Sequence, residues 1–131
     1  MSDAIRVAVC DDARAVKIFL RHVLEEEGDI EVVSSTSTGH DVLIELGEQR
    51  PDVLLLDLVL PDVPEPKDLV QRLREQSPQT VIVLISNMPE FRLEQEAQRL
   101  GADGWTTKAH KPAQLREVVR SAARADRVRP P

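Results

Sequence analysis

A single cysteine, Cys10, is all the thiol chemistry available to this 131-residue chain. It excludes an internal disulfide and any Cys-rich metal site, and a reducing compartment is the simpler setting. Long apolar runs are also missing. None approaches the roughly 18 residues that span a bilayer, and Met1-Ser2-Asp3-Ala4 lacks the basic and apolar regions of a signal peptide. A cytoplasmic location with no membrane partner is therefore expected. Positive charge is in deficit, with 17 Lys and Arg against 23 Asp and Glu and a formal net charge of -6. That balance argues against direct nucleic acid binding by this chain, because phosphate affinity comes from clustered cations, and it points to a protein partner. The length fits one domain, expected over residues 1–125, with a frayed, charged and Pro-ended tail over 126–131.

What is present is organised around Val53-Leu54-Leu55-Leu56-Asp57. Four apolar residues ending in a carboxylate read as a buried parallel strand whose carboxyl end carries Asp57, the edge where open α/β sheets place their ligand crevices. Ile5 to Cys10 is an earlier strand ending in Asp11-Asp12. From Ala13 to Glu27, Val16, Phe19, Leu20, Val23 and Leu24 keep helical spacing, and Gly28 is the stop. Ile30 to Val33 is a short strand and Ser34 to Gly39 a loop, with Thr38 and Asp41 resembling a capping box. After Asp57 come a helix over 67–76, an apolar strand over 81–85 halting at Ser86, a helix holding Phe91, Leu93, Ala97 and Leu100, a strand over 104–107 running into Lys108, and a last helix opened by Pro112. Five strands alternating with five helices predict an α/β fold, a doubly wound parallel sheet covered on both faces.

On the carboxyl edge of such a sheet Asp11, Asp12, Asp57, Ser86 and Lys108 converge from four strands. Three crowded carboxylates repel unless a cation holds them, and an all-oxygen set suits a hard ion such as Mg²⁺. A metal and a lysine beside a carboxylate attract phosphoryl oxygens, and Asp57 is the candidate nucleophile of an aspartyl phosphate.

These residues, with Leu56-Asp57-Leu58, Leu60-Pro61-Asp62 and Gly101-Ala102-Asp103-Gly104-Trp105-Thr106-Thr107-Lys108, resemble the receiver domain of bacterial two-component response regulators from Ile5 to about Ala123. The resemblance implies a flavodoxin-like (βα)5 fold with strand order 2-1-3-4-5. It also implies a function: Asp57 accepts a phosphoryl group from a histidine kinase or phosphotransfer protein, and a downstream protein target then binds differently. Asp12, Asp57 and the backbone carbonyl of Val59 would hold Mg²⁺, with Asp11 acting largely through water. Ser86 and Lys108 would contact the phosphoryl group, and Trp105, three residues before Lys108, would swing as Ser86 moves. A homodimer through helix 4, strand 5 and helix 5 is a further implication, with Arg116, Arg120, Arg124, Arg127 and Arg129 either a solvated face or complements to acids on a second copy.

Several positions depart from the family pattern. Glu65 stands between two prolines where Gly is frequent, Asn87 follows Ser86 where a small residue is usual, Trp105 replaces Tyr or Phe, and Ala109 follows Lys108 in place of Pro. The last variant resembles receivers that carry a helix-turn-helix output domain. These departures keep two alternatives open, a receiver fold that docks without being phosphorylated and an isolated receiver of a longer DNA-binding regulator. An aspartyl-nucleophile phosphatase is disfavoured because Val59 stands where such enzymes carry a second Asp, so the chain is expected not to be an enzyme beyond its own phosphorylation and dephosphorylation. His22, His40 and His110 are expected at the surface. Cys10 is expected to be buried, with its thiol pKa raised beside two carboxylates.

Overall fold

The computed structural model describes residues 3–128, excepting the side chains of 126–128. The elements are β1 (Ile5–Cys10), α1 (Arg14–Glu25), β2 (Ile30–Thr36), α2 (Gly39–Gln49), β3 (Val53–Asp57), α3 (Pro66–Gln76), β4 (Val81–Ser86), α4 (Glu90–Leu100), β5 (Gly104–Thr107) and α5 (Pro112–Val128). All pairings are parallel, and the strands lie in the order β2-β1-β3-β4-β5.

The pleat sends alternate side chains of each strand to opposite faces, so the apolar runs feed two cores. Val53 and Leu55 of β3 join Val7, Val9, Val83 and Ile85 beneath α1 and α5. Leu54 and Leu56 join Ala8, Cys10, Ile82 and Leu84 beneath α2, α3 and α4. Full burial of each such Leu or Ile stabilises the fold by about 1.5–3 kcal/mol. This two-sided burial explains why β3 and β4 are apolar throughout and carry polar residues only where they leave the core.

Local chemistry sets the helix ends. Thr38 Oγ1 accepts a hydrogen bond from the Asp41 backbone N–H at 3.1 Å, satisfying one of the free donors at the start of α2. Pro66 opens α3, where its missing N–H costs nothing. Gly101 closes α4 at φ 75°, a conformation that penalises a Cβ.

Four expectations are corrected. β2 extends through Thr36, because Ser34, Ser35 and Thr36 pair with Ala8, Val9 and Cys10 after a bulge that skips Val33. α1 ends at Glu25, not Glu27. Phe19 and Phe91, placed on apolar faces by spacing, are 45% and 66% exposed, and Leu20, Val23, Leu24 and Leu93 supply the buried stripes instead. α5 continues through Val128, taking in three residues of the expected tail, and 129–131 lie outside the described residues.

Candidate functional site

Strand register brings the polar ends together. Cys10 pairs with Leu56, which puts Asp11 level with Asp57. Asp57 pairs with Ile85, and Ser86 pairs with Thr107, the residue before Lys108. Ligand oxygens of Asp11, Asp12 and Asp57 all lie within 4.8 Å of one another. Lys108 Nζ sits 2.6 Å from Asp11 Oδ2 and 3.4 Å from Asp57 Oδ1. All five residues expected from the sequence therefore stand on one edge.

Their environments differ. Asp11 is fully buried, and its Oδ1 accepts from the Ala13 N–H at 2.8 Å. Its Oδ2 meets Lys108 as an ion pair without hydrogen-bond geometry, leaving that buried oxygen without a directed partner. Asp12 is exposed. Asp57 is 7% exposed; its Oδ1 accepts from the Val59 N–H at 3.2 Å, whereas its Oδ2 has no hydrogen bond within the described residues. Ser86 Oγ accepts from the Met88 N–H at 3.1 Å.

Three carboxylates against one ammonium leave two formal negative charges, the charge that one divalent cation cancels. The crowding of three carboxylates and the all-oxygen donor set fit a hard cation such as Mg²⁺. The pKa shifts reflect the same crowding. Burial and the charge of Asp11 raise the Asp57 carboxyl above its ordinary value, against the Val59 N–H and Lys108. For Lys108, burial pulls the ammonium down, but the Asp11 contact and the two carboxylate charges outweigh it, so its pKa is raised and it stays charged.

A carboxyl with a raised folded pKa binds its proton more tightly in the folded state. Its stabilisation is present below the unfolded pKa and is lost as pH rises through the folded one. Metal-free Asp57→Asn protein is therefore expected to melt at a higher temperature than the parent at neutral pH, with the gain shrinking as pH falls into the carboxylate range. Lys108 keeps Asp11 in that variant. Thermal melts in EDTA across pH check this, and a gain independent of pH contradicts it.

Trp105 pairs with Leu84, is half-buried against the α2–α3–α4 core, and lines a groove of about 500 Å³ beside α5. Cys10 is buried as expected and its thiol is pushed up to about 11, chiefly by burial, with Asp57 and Asp11 adding to the rise. His22 and His40 are exposed, but His110 is half-buried and its Nδ1 lies 2.9 Å from Thr106 Oγ1, correcting its surface placement. Arg116 and Arg120 are also not a free solvated face. Arg116 reaches the Val23 carbonyl and Glu26, and Arg120 holds Glu27 and Asp29, while Arg124 pairs with Glu117. The two arginines thus fasten α5 to the end of α1, and the side chains of Arg127 and Arg129 lie outside the described residues.

The positioning role of one motif residue escaped the sequence reading. Asp62 accepts from the Gly39 and His40 N–H groups at 2.9 and 3.0 Å, bonds that hold its carboxyl below its ordinary pKa and tie the loop after Asp57 to α2. A Cβ at residue 39 would meet Val63 Cγ2 at 2.5 Å, so glycine permits this approach. The glycine directly after the capping Thr38 was the available signal.

A 2-1-3-4-5 parallel sheet that gathers an acidic cluster and a lysine on its carboxyl edge defines a signal-receiver α/β domain. The chain belongs to the response regulator receiver domain family, whose description matches residues 7–120. It is 31% identical over 129 residues to the uncharacterized transcriptional regulatory protein YxjL of Bacillus subtilis (strain 168), covering 96% of this chain and 57% of that protein. The chain thus spans about three fifths of the length of the curated relatives it matches. Among solved structures, the signal receiver domain of the putative response regulator NarL from Mycobacterium tuberculosis superposes with a TM-score of 0.82 at 26% identity, covering 92% of this chain and 97% of that one. The REC domain of AraT, a response regulator from Geobacillus stearothermophilus, gives 0.78 at 30%, covering 93% and 95%. This is a response regulator receiver domain of two-component systems, with an Asp cluster at the edge the fold assigns to ligands. No described helix is long and apolar enough to cross a membrane.

Proposed function

We propose that this receiver domain is a phosphorylation-operated switch in which Asp57 is the phosphoacceptor. The observation that carries the reading is the asymmetry of the Asp57 carboxylate: Oδ1 is held by the Val59 N–H and Lys108, and Oδ2 accepts no hydrogen bond among the described residues. Oδ2 attacks phosphorus, forming the acyl phosphate, as the donor's P–N or P–O bond breaks and its electron pair leaves with the donor. The donor is a phosphohistidine of a histidine kinase or phosphotransfer protein, or a small acyl phosphate. Asp12, Asp57 and the Val59 carbonyl would hold Mg²⁺, with Asp11 supporting it through water. Mg²⁺ would supply positive charge that offsets the carboxylates and the incoming phosphoryl oxygens. Lys108, kept charged by its neighbours, pairs with the transferred group. The chemistry proposed for the chain is confined to its own phosphorylation and dephosphorylation.

The switch follows from Ser86. Its hydroxyl accepts from Met88 in the present state, and turning toward the phosphoryl group exchanges that bond for a charge-assisted one. The space it leaves lies near β5, where Trp105 can rearrange and alter the α4–β5–α5 face that a downstream protein target meets. YxjL is named as a transcriptional regulatory protein. For this chain we carry that over only as a proposed output, exerted through a DNA-binding unit.

A phosphoryl group shifts the equilibrium only by its differential contacts in the two states. Ser86→Ala is therefore expected to accept phosphate nearly as well as the parent while losing most of the response in α4 and β5. Amide hydrogen exchange over residues 86–107, with and without acetyl phosphate and Mg²⁺, tests the switch. Changed protection in the parent that vanishes in Ser86→Ala supports it, and equal changes in both remove Ser86 from the mechanism.

A further inference from the structure

The edge strand β2 separates two surfaces of opposite charge. On the side covered by α1 and α5, a groove of about 590 Å³ is lined by Arg14, Lys17, Ile18, Arg21 and His22, with Glu25 paired to Arg21 at 4.0 Å, and reaches Ser35 of β2; three cations there face one carboxylate. On the side covered by α2, a groove of about 330 Å³ reaches the same Ser35 and is lined by Asp41, Ile44 and Glu45. Helical spacing makes each set a stripe, at 14, 17, 18, 21 and 22 on α1 and at 41, 44, 45 and 48 on α2. Each stripe contains one bare apolar residue, Ile18 at 58% and Ile44 at 47% exposure. Among the described residues, the side chains of Arg14, His22, Asp41, Glu45 and Glu48 make no ion pair or hydrogen bond. A stripe of net positive charge, with the Arg14 guanidinium unpaired, on a chain of net charge -6 is a local inversion of the molecule's overall sign.

We propose that the chain pairs with a second copy of itself across the β2 edge, α1 of each copy lying on α2 of the other. A half turn about an axis parallel to β2 exchanges the two faces of the sheet, so the basic stripe meets the acidic stripe twice and Ile18 comes beside Ile44. A half turn about the sheet normal would instead set α1 on α1 and α2 on α2, and like charges oppose that arrangement. The occupant is thus selected by complementarity that this chain itself supplies. Exposed charges drive the contact, so the dimer is concentration-dependent and weakened by salt. It leaves α4, β5 and α5 free for a target.

The test is a charge exchange read by sedimentation equilibrium at low and high salt. Arg14→Glu with Arg21→Glu makes α1 acidic, and Glu45→Lys with Glu48→Lys makes α2 basic. Arg14, Arg21 and Glu48 are exposed and Glu45 is half-buried, all outside the phosphoryl site, and circular dichroism melts confirm folding. The parent is expected to dimerise at low salt, and each double variant alone to associate about tenfold or more weakly. An equimolar mixture of the two is expected to recover the dimer, because both interfaces of the mixed pair are again complementary. A parent that stays monomeric at low salt, variants that dimerise like the parent, or a mixture that stays monomeric each overturns the proposal. Ile18→Ser with Ile44→Ser provides a second arm, expected to weaken the parent dimer without abolishing its salt dependence.

Discussion

Asp12→Ala protein is expected to give no Mg²⁺-dependent change in Trp105 fluorescence under conditions where the parent titrates in the high-micromolar to millimolar range. The three carboxylates are not equivalent targets for such a test. Asp11 is fully buried and paired to Lys108, so its removal disturbs packing and charge together. Asp57 carries the proposed chemistry. Asp12 is exposed, and its truncation removes one carboxylate of the proposed metal site with little else. Trp105 is the only indole in the chain, which makes the signal unambiguous. Without Asp12 the site keeps two carboxylates and one ammonium, a single formal negative charge, and loses both a ligand and the charge match to a divalent cation. Unchanged titration in Asp12→Ala would mean that the metal sits elsewhere.

The second large effect concerns the lifetime of the phosphoryl group. Val59, two residues after Asp57, is 71% exposed, and Met88, two after Ser86, is half-buried against the core. The likeness to receivers implies that these positions flank the path of the attacking water, and here an isopropyl group and a weakly accepting thioether offer it no strong hydrogen bond. Hydrolysis then lacks the positioning that polar groups give in phosphoryl transfer. Asn87, the neighbouring amide, is exposed and makes no side-chain bond. A persistent aspartyl phosphate is expected, and Val59→Asn with Met88→Glu is expected to shorten its lifetime by about tenfold or more. Decay of phosphorylated protein in excess Mg²⁺ decides this. Unchanged or slower loss in the variant sinks the argument, and would direct attention to Asn87.

The sheet was legible because its strands are buried on both faces. Val53 to Leu56 and Val81 to Ile85 are apolar without alternation, and their abrupt polar ends mark where the chain leaves the core. Asp11, Asp57, Ser86 and Lys108 were legible for the same reason, since register alone brings strand ends to one edge. The misses lie where tertiary contacts override composition. Ser34-Ser35-Thr36 reads as loop, yet β1 supplies a pairing edge that holds it as strand. Phe19 and Phe91 satisfy helical spacing, but the flanking leucines already fill the stripes. Arg116 and Arg120 read as a solvated face because their acidic partners, Glu26, Glu27 and Asp29, lie some ninety residues away in sequence. The Asp62 link to α2 was hidden likewise, since a carboxylate bound to backbone amides has no side-chain partner to betray it.

The central claim is that Asp57 forms an acyl phosphate in a metal-dependent reaction. Intact mass after incubation with acetyl phosphate, in Mg²⁺ and in EDTA, for the parent and for Asp57→Asn, tests it most directly. The expected result is one added phosphoryl group in the parent with Mg²⁺ and none in EDTA or in Asp57→Asn. A parent that gains no mass in Mg²⁺, or an Asp57→Asn protein that gains the same mass, would contradict the account.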